Sequence, residues 1–287
     1  MFKNLSPGAI GIRNCSLEEA IKLAAQSGFG GIDVSIREIA DLVASHDLDY
    51  VKSLFATAGV VPGQWGTPVA WQADVEQWKQ DLADLPALAA LAQDLGCTRS
   101  ATWCPPASDD RDFDENLAWH IERFRPIAQI LADSGCSFGI EFIGPKTSRA
   151  RRKYAFIYTL EGMMDMAHQI GTGNVGLLLD AWHLYTSGGS IDDLDKISAS
   201  DVVTVHVNDA PEGLAIEEQL DNDRRLPMET GVIDLPGFMK KLAGMGYDGP
   251  VTPEPFSKRI NAIEDSLEAA KLAAHYMDLL WKAGGLT

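Results

Sequence analysis

Four side chains that can bind a metal ion stand at the ends of four short apolar runs. The runs are FGIEFIGP, VGLLLDAWH, VVTVHVNDA and PVTPEPF, and the four residues are Glu141, Asp180, His206 and Glu254. Three carboxylates and an imidazole suit Mn²⁺, Mg²⁺ or Co²⁺, and Zn²⁺ also accepts such ligands. Three carboxylates in one enclosed space repel one another unless a cation lies between them. The sequence therefore predicts one divalent metal ion, preferably Mn²⁺, bound by all four residues.

Further polar and aromatic residues follow the same kind of run. His183 comes three residues after Asp180, where a strand-to-helix turn would direct it toward the same site. Three tryptophans also stand at or just past the ends of apolar runs, and these are Trp65, Trp103 and Trp182. They are expected to wall a pocket, with core packing as the alternative for each. Asp209, in HVND, either orients a ligand histidine or caps the following turn.

The elements that would position these residues are eight predicted βα units. Short apolar runs alternate with longer amphipathic segments along the whole chain, which is typical of a parallel sheet covered by helices. The predicted strands are Gly8–Ile12, Gly31–Ser35, Val60–Trp65, Arg99–Trp103, Ser137–Ile143, Val175–Asp180, Val202–Val207 and Gly249–Glu254. The predicted helices are Ser16–Ser27, Asp49–Ala58, Val75–Leu95, Asp114–Ser134, Leu160–Ile170, a short piece at Ile191–Ile197, Leu235–Gly246 and Ile263–Trp281.

Eight such units without a linker favour a closed barrel. The segment after the first predicted strand, GIRNCSLEE, lacks the glycine-rich phosphate loop that an open, doubly wound sheet would need. The chain is therefore predicted to be α/β, a single (β/α)₈ TIM barrel over residues 1–287. An active site in such a barrel lies at the carboxyl ends of the strands, so the four metal ligands are expected to converge there.

Charge and composition exclude several functions. The net charge of −17 would repel a nucleic-acid backbone, so no nucleic acid is expected as a partner. One basic run is either a solvated surface or a contact for an anionic or polyhydroxy substrate or for an oligomer, and its residues are Arg149, Arg151, Arg152 and Lys153. Four cysteines without CxxC spacing, no secretory leader and no long apolar run predict a soluble, cytoplasmic protein that does not enter the membrane.

Four stretches of the sequence resemble those of a known family. FGIEFIGP, LLLDAWHLY, VTVHVNDAP and RRLPMETGVIDLPGFMKKLAGMGYDGPVTPEPF resemble the sugar phosphate isomerase/epimerase family. These are xylose isomerase-like TIM barrels of the AP endonuclease 2 superfamily, which includes ketose 3-epimerases, hydroxypyruvate isomerase, inosose dehydratase and an abasic-site endonuclease. The resemblance follows the order of elements over the whole chain and is specific in the C-terminal half.

The resemblance assigns roles residue by residue. The family's four metal ligands fall on Glu141, Asp180, His206 and Glu254. The histidine of its D-x-x-H pair falls on His183, which implies a contact with substrate or metal. The family's arginine segment matches Arg224 and Arg225, either of which would hold the substrate, with the three tryptophans stacking on a sugar. Met228 stands where the family usually has glycine.

The implied function is a metal-dependent isomerase or epimerase of a sugar, sugar phosphate or keto-polyol. A metal that binds a carbonyl and its neighbouring hydroxyl makes the shared α-proton acidic. Glu141 and Glu254, on non-adjacent strands, would exchange protons on opposite faces, as they do in the resembling ketose epimerases. A dehydratase of a keto-inositol or keto-sugar shares the first step and is the alternative.

Two further alternatives are remote. A phosphodiester metallohydrolase would need additional histidines, whereas the corresponding strands end in Gln64-Trp65 and Thr102-Trp103. A non-catalytic sugar-binding barrel would not need the full ligand set. The expected partner is a small carbohydrate, and a homodimer or homotetramer is expected because barrels of this kind often pair through mouth loops.

Overall fold

The computed structural model describes residues 1–286, which form alternating strands and helices. The strands are β1 Phe2–Leu5, β2 Gly31–Val34, β3 Val61–Gly66, β4 Arg99–Cys104, β5 Ala107–Ser108, β6 Ser137–Phe142, β7 Tyr154–Ala155, β8 Val175–Asp180, β9 Val202–Val207 and β10 Pro250–Pro253. The helices are α1 Leu17–Ser27, α2 Ile36–Ser45, α3 Leu48–Ala58, α4 Val75–Leu95, α5 Phe113–Asp133, α6 Lys146–Arg149, α7 Leu160–Ile170, α8 Ala181–Thr186, α9 Leu235–Met245, α10 Lys258–Asn261 and α11 Ser266–Ala283.

Eight of the strands close into a parallel barrel, which confirms the predicted (β/α)₈ fold. Their order around the barrel is β1-β10-β9-β8-β6-β4-β3-β2. The strands that carry the predicted metal ligands, β6, β8, β9 and β10, are therefore consecutive neighbours. Outside the barrel, β5 and β7 pair in antiparallel fashion and tie the loop after β4 to the loop after β6.

The first predicted strand was wrong. The barrel begins with Phe2–Leu5, and Gly8–Ile10 is a 3-10 turn that ends at Gly11 with φ 85°. The true strand was missed because it does not form an apolar run: it contains the polar residue Asn4, whose side chain lies inside the barrel. There its amide donates to Asp33 (2.6 Å) and to Thr252 (2.9 Å).

The other differences concern helices. The unit after β2 has an additional helix, α2, which Ser35 caps by accepting the Glu38 N–H. The prediction for this unit contained only the following helix. Likewise α8 starts directly from β8, with Asp180 as its N-cap, and the short piece predicted at residues 191–197 is a 3-10 helix over Ile191–Lys196. No helix among residues 1–286 is long and apolar enough to span a membrane.

Candidate metal centre

The four predicted ligands meet at the carboxyl end of the barrel. Glu141 is the fifth residue of β6, Asp180 ends β8, and His206 lies beside Asp180 on β9. Glu254 follows the last residue of β10. One potential ligand atom from each of the four lies within 4.8 Å of all the others. The structure therefore brings together the whole predicted set.

The donor atoms fit a divalent cation. Glu141 Oε1 and both ring nitrogens of His206 are buried, and none has a hydrogen-bond partner among the described residues. Such orphaned polar atoms are rare in proteins unless an ion or water satisfies them. His206 Nδ1 lies 3.4 Å from Glu254 Oε2 and 3.8 Å from Glu141 Oε1, so a small cation between them would contact all three side chains.

With no cation between them, the pKa values of the two glutamates shift in opposite directions. Burial and the negative charge of Glu254 raise the pKa of Glu141 well above its ordinary value. Burial alone would also raise the pKa of Glu254, but the positive charges of His206 and Arg224 outweigh it and lower that pKa. In the cluster without a cation, Glu141 is therefore the more easily protonated of the two glutamates.

His206 is charged in this arrangement. Burial alone would lower the pKa of His206, but the carboxylates of Glu254, Glu141 and Asp180 raise it to about 10. A metal ligand must be the neutral imidazole. A metal ion and the proton on His206 therefore exclude each other.

Arg224 is the arginine that reaches the cluster. Its Nη1 donates to Asp180 Oδ2 at 2.8 Å and to Glu254 Oε2 at 3.0 Å, and the residue is 2% exposed. Arg225 points away, donating to Asp223 at 2.9 Å, and only its backbone pairs with Asp209. The structure thus distinguishes two arginines between which the sequence could not decide.

His183 lies against the same cluster. Its Nδ1 accepts the backbone N–H of Gly144 at 3.2 Å, and Nε2 lies 3.8 Å from Glu141 Oε1 and 3.2 Å from Arg224 Nη2. Gly144 N–H, which faces Nδ1, and Arg224 Nη2, which faces Nε2, can both only donate, and the neutral ring has one acceptor nitrogen to offer them. Burial lowers the pKa of His183 to about 3, so the ring is neutral. His183 therefore packs against the guanidinium of Arg224, whose Nη2 also donates to Asp221 Oδ1 at 2.8 Å.

The three tryptophans lie in different places. Trp103 is paired in register with Glu141 on the neighbouring strand and is 45% exposed, so it stands at the mouth. Trp182 is fully buried beneath the guanidinium of Arg224, whose carbon lies 5.4 Å from the ring centroid. Trp65 is also fully buried, and its indole N–H donates to the Cys97 carbonyl at 2.9 Å.

The structure does not bring Trp65 to the mouth. Its neighbour Gln64 points into the barrel, where its amide donates to Asp33 at 3.0 Å. Side chains alternate along a strand, so Trp65 points outward, between the sheet and the helices. Of the two readings of this tryptophan, core packing describes its position.

Two residues around the ligands were not predicted, or not in this role. Asn208 Nδ2 lies 3.1 Å and 3.3 Å from the two oxygens of Asp180 and holds that carboxylate. Asp209 does not contact His206; its oxygens accept the backbone N–H groups of the following loop, at residues 230–233. Asp209 thus holds a loop 21 to 24 residues later rather than the turn that directly follows it, and the residue before it, Asn208, holds Asp180.

Met228 shows why this position favours glycine. Its φ is 67°, in the left-handed region where a side chain is strained. It lies in the turn L-P-M-E, in which Leu226 N–H donates to Glu229 at 2.9 Å. Met228 therefore occupies a left-handed position in this turn, where the family usually has glycine.

The fold and the cluster define a barrel whose mouth carries a carboxylate-rich group that could hold a metal ion. The sequence profile of the family described as "Xylose isomerase-like TIM barrel" matches residues 21–278. The chain belongs to this family.

Individual relatives agree with that assignment. An inosose isomerase of Halalkalibacterium halodurans is 22% identical over 265 residues, which cover 91% of this chain and 90% of the relative. A xylose isomerase domain protein of Alicyclobacillus acidocaldarius superposes with a TM-score of 0.87 at 27% identity, covering 99% of both chains.

Two more distant structures share the fold. The IOLI protein, crystallised with a zinc atom, has a TM-score of 0.79 at 20% identity and covers 99% of both chains. D-psicose 3-epimerase, crystallised in the presence of D-fructose, has a TM-score of 0.74 at 16% identity and covers 99% of this chain and 100% of the other.

Proposed function

We propose that this protein is a divalent-metal-dependent isomerase or epimerase of a small carbohydrate or keto-polyol. The observation that carries the proposal is the buried set of Glu141, Asp180, His206 and Glu254, with ligand atoms within 4.8 Å of one another. Similarity to an inosose isomerase and to a D-psicose 3-epimerase supports a sugar substrate and this class of reaction.

The metal would be held by these four residues. Mn²⁺ is the expected ion, with Mg²⁺, Co²⁺ or Zn²⁺ as alternatives, and the zinc atom in the IOLI structure supports a divalent site. When bound, a divalent ion polarises a carbonyl and its neighbouring hydroxyl and so acidifies the hydrogen on the carbon they share.

The two glutamates would then move the proton. Glu141 and Glu254 come from β6 and β10, which are separated in the barrel by β8 and β9. They can therefore address a planar enediolate from two sides. In one direction one glutamate would accept the carbon-bound proton, and the other would return a proton to the opposite face. Roles reverse in the opposite direction.

His183 and Arg224 would bind the oxygens of the substrate. Arg224 Nη2 lies 3.2 Å from His183 Nε2 and donates to Asp221 at 2.8 Å, so a substrate oxygen would bind here by replacing one of these two contacts. Trp103, at the open mouth, would cover the sugar ring. These residues bind and orient, while the glutamates carry the proton transfer.

A substrate screen in deuterated water tests the proposal. Ketoses, keto-inositols and oxidised glycosides would be incubated with the Mn²⁺-loaded protein, and NMR would detect deuterium at the carbon next to the carbonyl. We expect exchange at one carbon, with conversion to an isomer or epimer. Loss of water from the same substrate would identify the dehydratase alternative, and metal-loaded protein that exchanges no proton in any class would contradict the proposal.

A further inference from the structure

A cavity of about 470 Å³ opens at the carboxyl end of β4, the strand that pairs with β6, which carries Glu141. It lies between α5 and the loops after β3, β4 and β6, and the short β5–β7 sheet joins two of these loops. Trp103 lines this cavity and is also the register partner of Glu141. The cavity and the metal centre are therefore neighbours across one exposed indole.

Two arginines in this cavity have no acidic partner. Arg123 is 7% exposed, donates to the Ala73 carbonyl at 3.2 Å and lies over the Trp78 ring at 4.6 Å. Arg111 stacks on Trp119 at 4.1 Å, and its Nε donates to Asn116 at 3.0 Å. No carboxylate oxygen of residues 1–286 lies within 4.0 Å of either guanidinium.

A buried guanidinium without a counter-ion is costly, and stacking on indole rings offsets only part of that cost. Arg111 uses one nitrogen and Arg123 one nitrogen in hydrogen bonds, so both planar groups keep free N–H donors. Paired donors of this kind match the two oxygens of a carboxylate or phosphate.

Three arginines and three aspartates surround the cavity, and Arg111 and Arg123 are the two arginines among them without a salt bridge. Arg152 also lines it and pairs with Asp109 at 3.3 Å. Two acidic residues line it as well, Asp74 and Asp110, and Asp74 is occupied as the N-cap of α4.

Neutral polar groups complete the lining. Asn116 Nδ2 and His120 Nε2 are buried and have no hydrogen-bond partner among the described residues. His120 Nδ1 contacts the Asn116 carbonyl at 2.8 Å and must donate to it, so Nε2 is a free acceptor. A donor amide and an acceptor imidazole suit hydroxyl groups next to the anion.

We propose that this cavity binds an oxyanion group, a carboxylate or a phosphate, carried by the hydroxylated substrate whose other end lies at the metal centre. The proposal rests on the proposed function for the reacting end and adds that the substrate is anionic. Arg111 and Arg123 would bind the oxyanion, and Trp103 would pack against the carbon chain between the two sites.

Calorimetric titration with three matched probes tests it: D-glucose, D-glucuronate and D-glucose 6-phosphate, which differ at one carbon. We expect at least one anion to bind tenfold or more tightly than glucose, and the tighter one identifies carboxylate or phosphate. R111Q and R123Q should each lose this preference. R125Q is the matched control on the same helix, because Arg125 donates to the carbonyls of Gln169 and Ile170 outside the cavity.

Each titration would be repeated after chelator treatment. An anion preference that persists without metal supports the cavity, whereas one that disappears assigns the anion to the metal and overturns the proposal. Equal binding of all three probes, no binding by either anion at millimolar concentration, or equal loss in R125Q and R111Q also overturns it. Thermal unfolding shows whether R123Q is folded, and R111Q tests the same cavity if it is not.

The outcome is separable from that of the proposed function. Binding is measured without turnover, so a preference for an anion with no deuterium exchange would remove only the enzymatic proposal. Exchange on neutral sugars, together with no tighter binding of either anion than of glucose, would remove only the oxyanion site.

Discussion

Arg224 donates a 2.8 Å hydrogen bond to Asp180, so a fixed positive charge already rests on one of the four carboxyl and imidazole groups that would hold the metal. The same Nη1 reaches Glu254 at 3.0 Å. The guanidinium and a metal ion therefore share two carboxylates. Asp180 keeps two other donors, Asn208 and the Trp182 N–H at 2.7 Å, that fix its position without the arginine.

We therefore expect Arg224→Gln to bind Mn²⁺ more tightly, by about tenfold, because a like charge near the ion is removed. Turnover should fall, because the guanidinium that holds Asp180 and Glu254 in place is lost. Metal titration of the chelator-treated variant and the unaltered protein measures the first effect. Weaker binding in the variant would mean that Arg224 orients the ligands more than it repels the ion.

The two histidines at the site should respond differently to replacement. His206→Ala should lower metal affinity at least tenfold, since it removes a ligand, whereas His183→Ala should retain the metal and lose substrate binding or turnover. The unaltered protein should hold about one divalent ion per chain, and chelation should lower its melting temperature. Elemental analysis of the three proteins is the measurement. Equal loss of metal in both variants would make His183 a ligand.

Metal affinity should rise with pH. The pKa of His206 without metal is about 10, so this side chain is protonated at neutral pH and must release its proton when a metal binds. Below that pKa, affinity should increase about tenfold for each pH unit, and binding should release at least one proton. Titration in two buffers of different ionisation enthalpy counts the protons. A pH-independent affinity with no proton release would contradict a charged His206.

The buried ring of His120 should make stability depend on pH. Burial lowers its pKa from 6.5 to about 4, so folding favours the neutral ring. That stability is complete above pH 6.5 and is lost as the pH falls toward 4, by about 3 kcal/mol. His120→Phe keeps an aromatic ring against Phe156 and cannot titrate. The difference in unfolding free energy between the two proteins, measured at pH 7 and pH 4, should change by that amount; an unchanged difference would show that His120 does not titrate with the fold.

The sequence predicted the four residues of the cluster better than the strands and helices that position them. Polar residues that interrupt apolar runs at their ends are visible without a structure, and all four residues that meet at the mouth were predicted in this way. The first strand was missed because its interior residue, Asn4, is polar and bonds to Asp33 and Thr252 from other strands. Such contacts depend on barrel closure, which local patterns do not contain.

The residues around the cluster were harder to predict, because their roles also depend on contacts between distant parts of the chain. Arg224 and Arg225 are neighbours in sequence, and only the pairing of the Arg225 backbone with Asp209 decides which guanidinium turns inward. Asn208 and Asp209 are likewise adjacent, and the one that supports a ligand is set by the side of the strand end it occupies. The oxyanion cavity joins α5 to three loops distant in sequence, so no motif marks it.

Solvent-deuterium exchange by Glu141→Gln and Glu254→Gln tests the central claim most directly. Each variant keeps an oxygen donor for the metal but loses a basic carboxylate, so net conversion should fall roughly a thousandfold. Each should still exchange the proton of one epimer, and the two variants should select opposite epimers, with metal content measured in both. If one variant, still loaded with metal, exchanges neither epimer while the other remains active, a single glutamate is the base and the two-glutamate account is wrong.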